Sequence, residues 1–371
     1  MKGTVCRLLT FFVFLLSFSV SYASEPVHGE ESKPLSEEDA MRKEIEEVKN
    51  HHLADDYYYS FFGDKEKGAH YGFSLPVILF DNGMKVFCSS EFHHGEKLVE
   101  KDGQYYKLYH SKIYKTDAQG TIHYEGDFPS NEKPWDFSIT KNVVNIILVG
   151  VLLLLIFGAM AKSYKKSLVP KGVAKFMEPI VMYVKDDIAI PNIGEKHYKR
   201  FMPFLLTVFF FIWLLNLLGL TPLGVNVTGN ITVTFALAII VFIITNISGR
   251  KTYWMHIFNP LGSSMPWYAK VPLYILLIPI EILGIFIKPF SLMIRLFANI
   301  SAGHTVMMML IGMIFIFKSW IGGPLTFGLT FFISLIEFLV ALLQAYVFTM
   351  LAALYFGFAV EEHHHEAEEA H

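Results

Sequence analysis

Residues 272–317 form one apolar block of about 46 residues, and a second block, 322–359, follows almost at once. A bilayer core is crossed by about 20 residues of helix. As a single helix the first block would run about 69 Å at 1.5 Å per residue. Each block therefore holds either two spans or one long, strongly tilted helix, and periodicity alone leaves both open. The points at which the first block could break are Gly284, Pro289, Gly303 and Gly312. No soluble core absorbs segments of this length. The chain is 53% apolar with a mean hydropathy of +0.40, and its apolar residues fall in blocks, which predicts an integral membrane protein.

Three shorter blocks precede these two: Val143–Ala161, Phe201–Leu220 and roughly Ile231–Ile247. With one crossing for each long block the total is five spans. Lys162, Lys165, Lys166 and Lys171 follow the first span, Glu195-Lys196-His197-Tyr198-Lys199-Arg200 precedes the second, and Arg250 and Lys251 follow the third. Positive residues mark cytoplasmic loops, so the N-terminal region is expected outside and the C-terminus inside. Residues 171–186 read as an amphipathic surface helix, and 250–271 as a loop.

The first 23 residues resemble a secretory leader. Lys2 and Arg7 precede an apolar core from Leu8 to Val20, and Ser21 and Ala23 flank Tyr22, with cleavage expected after Ala23. An exported N-terminus on a multi-pass chain points to a bacterial cell inner membrane. The domain plan is therefore a leader over 1–23, an extracytoplasmic region over 24–140, a membrane domain over 141–360 and an acidic, histidine-bearing cytoplasmic tail over 361–371. Residues 24–56 are highly charged and read as helix or disorder. From Tyr57 to Phe137, aromatic residues alternate with the turn signals Asn82-Gly83, Asp102-Gly103 and Gln119-Gly120, as in small β-hairpins. The fold class is thus an all-α polytopic membrane protein with an N-terminal region of mixed or β-hairpin character.

Several function classes are disfavoured. A net charge of −3 and a pI near 6.6 give no pull toward nucleic acid. Removal of the leader would leave Cys88 without an intrachain partner, since the other cysteine is Cys6. His51-His52 and His93-His94 lack further ligands at set spacing and read as solvated histidines, not a metal site. No Gly-x-Ser-x-Gly or His-Glu-x-x-His pattern lies in the membrane blocks, which argues against an intramembrane hydrolase.

The polar residues inside the long blocks carry the argument for function. Glu281, Lys288 and Arg295 are spaced seven apart, about two helical turns, and are expected on one face. Ser291, Asn299 and Ala302 fall at four- and seven-residue offsets from Arg295 and continue that face. In the next block Glu337, Ala341 and Gln344 share a face at i, i+4 and i+7, and His304 adds a titratable group past Arg295. A charge at the bilayer centre costs about 2.5–3.5 kcal/mol on insertion scales, so such residues mark ion paths more often than mere packing. Glu and His exchange protons near neutral pH, whereas Arg stays charged and acts as a barrier or switch.

The stretches "PFSLMIRLFANISAGH" and "EFLVALLQAYVFTMLAALY", with "FMPFLLTVFFFIWLLNLLGLTP" and "IPIEILGIFIKPFSLMIRLF", resemble subunit a of the F-type ATP synthase over residues 140–360. The resemblance implies the membrane stator, a part not catalytic for ATP itself, with the c-ring, the b subunit of the peripheral stalk and the lipid bilayer as partners and no cofactor. It implies that Arg295 is the essential coupling arginine facing the carboxylate of each passing c subunit. Asn299 and Gln344 would lie near it, His304 and Glu337 would line the half-channel open to the outside, and Glu281 the cytoplasmic one. Lys288, Asn216 and Ser291 are further candidates. Where the family often carries an acid, three residues beyond Asn216, this chain has Gly219. The implied ion is H⁺ rather than Na⁺, although ion choice rests mainly on the c subunit. The resemblance also favours one steep crossing for each long block. The competing reading is a self-contained channel or secondary transporter, which would carry internal repeats; no convincing repeat is present.

Overall fold

The computed structural model describes residues 55–64, 69–126, 128–166, 171–221, 225–259, 267–316 and 322–361. The leader, the charged stretch 24–54 with His51 and His52, and the tail from 362 onward lie outside the described residues.

The first part is β. Strands β1 (Tyr58–Asp64) and β2 (Ala69–Ser74) form one antiparallel pair. β3 (Pro76–Phe80) and β4 (Met84–Cys88) form a hairpin, and β5 (Val99–Lys101), β6 (Gln104–Tyr109) and β7 (Lys112–Thr116) form a meander. β8 (Tyr124–Glu125) pairs with β9 (Phe128–Pro129), and β10 (Trp135–Asp136) returns to the free edge of β3. Val77, Leu79, Phe87, Val99, Tyr106 and Ile113 form a shared core with Tyr57 and Phe92. At its edge the Lys115 ammonium donates to Asp81 at 2.8 Å and holds that carboxyl below the usual carboxylate range.

Two of the three expected turn signals close hairpins. Asn82-Gly83 joins β3 to β4 and Asp102-Gly103 joins β5 to β6, with φ of 50° and 54° at Asn82 and Asp102. Gln119-Gly120 does not; it ends a tight turn after β7, where the Gly120 amide donates to the Asp117 carbonyl. The β6–β7 connection is made by His110 and Ser111, at φ 46° and 55°. Both central residues of such a turn need positive φ. Neither is glycine, so the sequence carries no strong signal there.

Among the described residues, five helices are long and apolar enough to cross a membrane. They are α1 (Lys141–Lys166), α4 (Tyr198–Gly219), α5 (Ile231–Ser248), α7 (Trp267–Ile316) and α8 (Gly322–Val360). Each long apolar block is one helix, of 50 and 39 residues. At 1.5 Å per residue these run about 75 and 58 Å. Pro272, Pro279 and Pro289 lie within α7 without dividing it. Asn230 caps α5, its Oδ1 accepting from the Thr232 amide at 2.9 Å. At the head of α1, Asp55 accepts from the Asn142 amide and the Thr140 hydroxyl. A carboxylate there satisfies helix donors that have no intrahelical partner. Burial nonetheless pushes the Asp55 carboxyl above its ordinary range.

The expected surface helix over 171–186 extends further than its pattern suggests. α2 (Val173–Tyr183) runs into a π-helical turn at Val184–Ala189 and then α3 (Ile190–Ile193). Pro191 has no N–H to complete the regular ladder, which accounts for the widened turn. Val184, Ile188 and Ala189 are fully buried, so this segment docks into the bundle. Gly357 makes the docking possible: a Cβ there would sit 1.9 Å from the Asn192 carbonyl oxygen. The stretch 250–271 also contains a helix, α6 (Lys251–Phe258), which eight residues of unremarkable periodicity did not announce.

α8 packs against both α4 and α7, α7 against α5, and α1 against α4. Phe201 stacks on Phe356 at 4.8 Å, and Phe157 meets Phe210 edge-on at 5.4 Å. By contrast, none of residues 271–291 of α7 is fully buried; close packing begins at Leu292.

Candidate functional site

Past Leu292 the two sides of α7 differ. Leu292, Met293, Leu296 and Ile300 are buried in the bundle. Ser291, Arg295, Asn299 and Ala302 are exposed, as is the small Ala298 beside them. The sequence placed a polar, small row opposite an apolar one, and α7 carries both. Arg295 makes no ion pair with a carboxylate among the described residues. Its row combines one permanent cation, short polar side chains and alanines that let another helix approach closely.

Glu281 and Lys288, on the same broad face by their spacing, are less open than that row. Both are half-buried. The Lys288 ammonium lies 5.8 Å from the Tyr355 ring centroid and 5.6 Å from that of Phe358, held by two rings of α8. A seven-residue step falls short of two full turns by about 20° of rotation, so a heptad row spirals around a straight helix. The drift is only about 20° from Arg295 to Lys288 and about 40° to Glu281, so the difference lies in what covers them: α8 reaches Lys288 and leaves Arg295 exposed. Glu281 and Lys288 instead line a cavity of about 500 Å³ between α6, α7 and the end of α8. Thr252, Tyr253 and His256 wall it from α6, and Phe358 and Glu361 from the α8 side.

The remaining candidates converge inside the bundle. Asn216, His304, Glu337 and Gln344 are exposed by only 3%, 4%, 5% and 5%, on three different helices. Asn216 of α4 donates to the Ala341 carbonyl of α8 at 3.4 Å, one turn beyond Glu337 and one before Gln344. Its Oδ1 accepts from the Thr228 hydroxyl at 2.7 Å. One turn along α4 is Gly219, where a Cβ would lie 3.3 Å from His304 Nε2. Here the imidazole occupies the space beside the glycine. Gly303 does the same for Glu337: a Cβ on Gly303 would be 2.6 Å from Glu337 Oε1. A side chain at Gly303 would push the Glu337 carboxyl from its place, and one at Gly219 would press on the imidazole.

Neither carboxyl oxygen of Glu337 has a hydrogen-bond partner among the described residues. A buried carboxyl without partners carries a desolvation cost that a packed residue would not. A buried group of this kind within a membrane bundle could exchange a proton or take up water.

Spacing alone did not reveal Thr228, Gly219 and Gly303, or the Tyr355–Phe358 clamp. Thr228 sits in "NVTGN", a polar stretch between two apolar helices that looks like an ordinary loop. It folds inward instead, with Val225, Asn226, Val227 and Thr228 all buried.

The chain matches a family model described as ATP synthase A chain over residues 143–357. A second model, described as Domain of unknown function (DUF8433), matches residues 48–137. Among curated proteins, an ATP synthase subunit a from Chloroherpeton thalassium is 43% identical over 242 residues, 64% of this chain and 71% of that protein. ATP synthase subunit a 2 from Prosthecochloris aestuarii is 39% identical over 316 residues, 80% of this chain and 94% of its own length. An ATP synthase subunit a from Myxococcus xanthus is 41% identical over 242 residues, covering 64% and 77%.

Proposed function

This chain belongs to the ATP synthase A chain family, a multi-pass membrane protein with five membrane-capable helices, and on that premise we propose that it is the proton-translocating stator of an F-type ATP synthase. The observation that carries the reading is the open position of Arg295. A guanidinium facing lipid would cost about 2.5–3.5 kcal/mol or more. The small, polar row around it suits a neighbouring helix, and the charge suits a carboxylate on that helix. A ring of c subunits presents such a carboxylate repeatedly. The b subunit of the peripheral stalk would hold the stator against rotation.

In this mechanism a proton enters from outside by way of Glu337 and His304, with Asn216 and Gln344 as polar lining. It neutralises a ring carboxylate, which then turns into the lipid. After nearly a full rotation the proton leaves through the cavity lined by Glu281 and Lys288, on the cytoplasmic side. Arg295 attracts the ionised carboxylate between the two paths and blocks a direct leak, with Asn299 and Ser291 beside it. A proton falling through 100 mV releases about 2.3 kcal/mol, so several must be coupled to each ATP. The long helices α7 and α8 exceed one bilayer thickness and cross it at a steep tilt. The lysines and arginines at 162–166, 196–200 and 250–251 support a cytoplasmic position for those ends, with the β region outside in a bacterial inner membrane. The subunit does no ATP chemistry itself.

The test is Arg295→Ala in inverted membrane vesicles. ATP-driven proton pumping is expected to vanish while the assembly still forms; pumping at the unaltered rate would overturn the assignment.

A further inference from the structure

The β10–β3–β4 sheet is apolar on both faces. Val77, Leu79 and Phe87 point inward and are exposed by 0%, 0% and 7%. Strand pairing sets Phe80 opposite both Met84 and Trp135, and Ile78 opposite Val86. Directly paired residues project to the same face. Phe80, Met84, Val86 and Trp135 therefore stand together outward, exposed by 53%, 65%, 56% and 76%. Phe137, 62% exposed, continues the row, its ring edge-on to Phe80 at 6.5 Å. The charged residues of these three strands are Lys85 and Asp136, and both turn the other way: the Lys85 ammonium bonds Tyr106, and Tyr57 donates to the Asp136 carboxylate. Neither charge of these strands thus stands on the outward face, which carries large apolar side chains instead, unlike a sheet face that meets water.

The sheet is continuous with the membrane domain. The Phe137 and Ile139 amides donate to the Ile78 and Pro76 carbonyls, so pairing with β3 runs to within two residues of α1. The Lys141 amide donates to the Asp56 carbonyl, and Asn145 bonds the Tyr59 hydroxyl. Asn145 lies in the first residues of the apolar block Val143–Ala161. The β region is thereby tied to the first turns of a span, at the rim of the hydrocarbon. A protein partner of ordinary composition would form about one hydrogen bond per 100–200 Å² of interface. Of the five outward side chains, only Trp135 offers a donor, its indole N–H. Tryptophan is enriched at the lipid headgroup boundary, and Trp with Phe forms the buried face of segments that lie in that interface.

We propose that the outward face of the β10–β3–β4 sheet, centred on Phe80, Val86 and Trp135, docks on the lipid surface of the leaflet in which α1 begins. The contact acts as an interfacial anchor that fixes the β region against the membrane. It requires that α1 span a membrane and is independent of any step of ion transfer.

The test places an environment-sensitive fluorophore at Val86→Cys in a Cys6→Ser, Cys88→Ser background of the full chain, purified with its assembly and returned to liposomes. Lys112→Cys, exposed on the other sheet, serves as the reference position. Phospholipids spin-labelled high on the acyl chain are the quencher. The expected result is blue-shifted, quenched emission at position 86 and water-like, unquenched emission at position 112. Water-like, unquenched emission at 86 would overturn the proposal. So would blue-shifted but unquenched emission at 86, which would mean that protein covers the face, or equal quenching at both positions. An independent readout uses no label: brominated lipids are expected to quench part of the intrinsic tryptophan emission, and Trp135→Phe to remove that part. An unchanged quenched fraction in Trp135→Phe would count against the docking.

Discussion

Two groups of polar residues in the membrane domain solve the same energetic problem in opposite ways. On the open face of α7, Ser291, Arg295 and Asn299 are exposed, and the permanent cation has no carboxylate paired with it among the described residues. Between α4, α7 and α8, the groups Asn216, His304, Glu337 and Gln344 are nearly sealed from their surroundings. On the proposed reading, the open row is completed by a carboxylate from outside the chain. The enclosed cluster is shaped from within, by two glycines and a threonine. A charge that must meet a succession of partners cannot be satisfied by its own chain. A proton path, by contrast, must be walled off from lipid to have a direction.

The largest expected effect inside the enclosed cluster comes from Glu337→Gln. Replacing the carboxyl by an amide keeps its volume but removes its proton. Positioned acid–base groups typically contribute 10²–10⁴-fold, so ATP-driven pumping in vesicles is expected to fall by about 10²-fold. A rate within about twofold of the unaltered protein would reduce the cluster to packing and dissolve the contrast with the open row. Gly303→Val should approach the same loss by a steric route, because its Cβ would meet Glu337 Oε1 at 2.6 Å.

Much of this contrast was legible before any coordinates. The seven- and four-residue spacings gave the polar rows of α7 and α8, and the burial of Glu337, Ala341 and Gln344 follows their shared face. Five apolar blocks were countable in the sequence, though whether each long one forms one helix or two was not. What spacing missed falls into two physical kinds. What covers a face is not written on that face: Lys288 and Arg295 lie within about 20° of each other, but α8 covers Lys288 with Tyr355 and Phe358 and leaves Arg295 exposed. Contacts between distant segments leave no local trace. Thr228 reaches Asn216 across an interhelical loop, and Gly357 admits the Asn192 carbonyl from a helix more than 160 residues earlier.

A mid-sized effect separates the two groups by stability instead of rate. Thr228→Val removes the hydroxyl that donates to Asn216 Oδ1 at 2.7 Å and leaves a buried acceptor unsatisfied. That costs about 1–3 kcal/mol, so the melting temperature in detergent should fall and pumping should drop several-fold. Asn299→Val, on the open face, should leave the isolated subunit's melting temperature nearly unchanged, since its amide is already exposed. Its effect should be seen only in pumping by the assembled complex. Equal melting shifts in both variants would show that the two groups are not differently built.

The smallest expected effect settles where Lys288 belongs. By sequence spacing it sits with Arg295; by packing it lies against two rings of α8 and lines the cavity of Glu281. If it belonged to the open row, losing its charge should cost nearly as much as Arg295→Ala. Its ring contacts are instead worth about 1–2 kcal/mol as cation–π interactions, and methionine retains most of the apolar stem. Lys288→Met is therefore expected to slow pumping only a few-fold and to lower thermal stability modestly. Tyr355→Leu combined with Phe358→Leu should reproduce that modest loss with the lysine still present, because the cation then loses its clamp. Abolition of pumping in Lys288→Met, with the assembly intact, would instead return Lys288 to the row of Arg295 and make the fixed positive charge of α7 a pair.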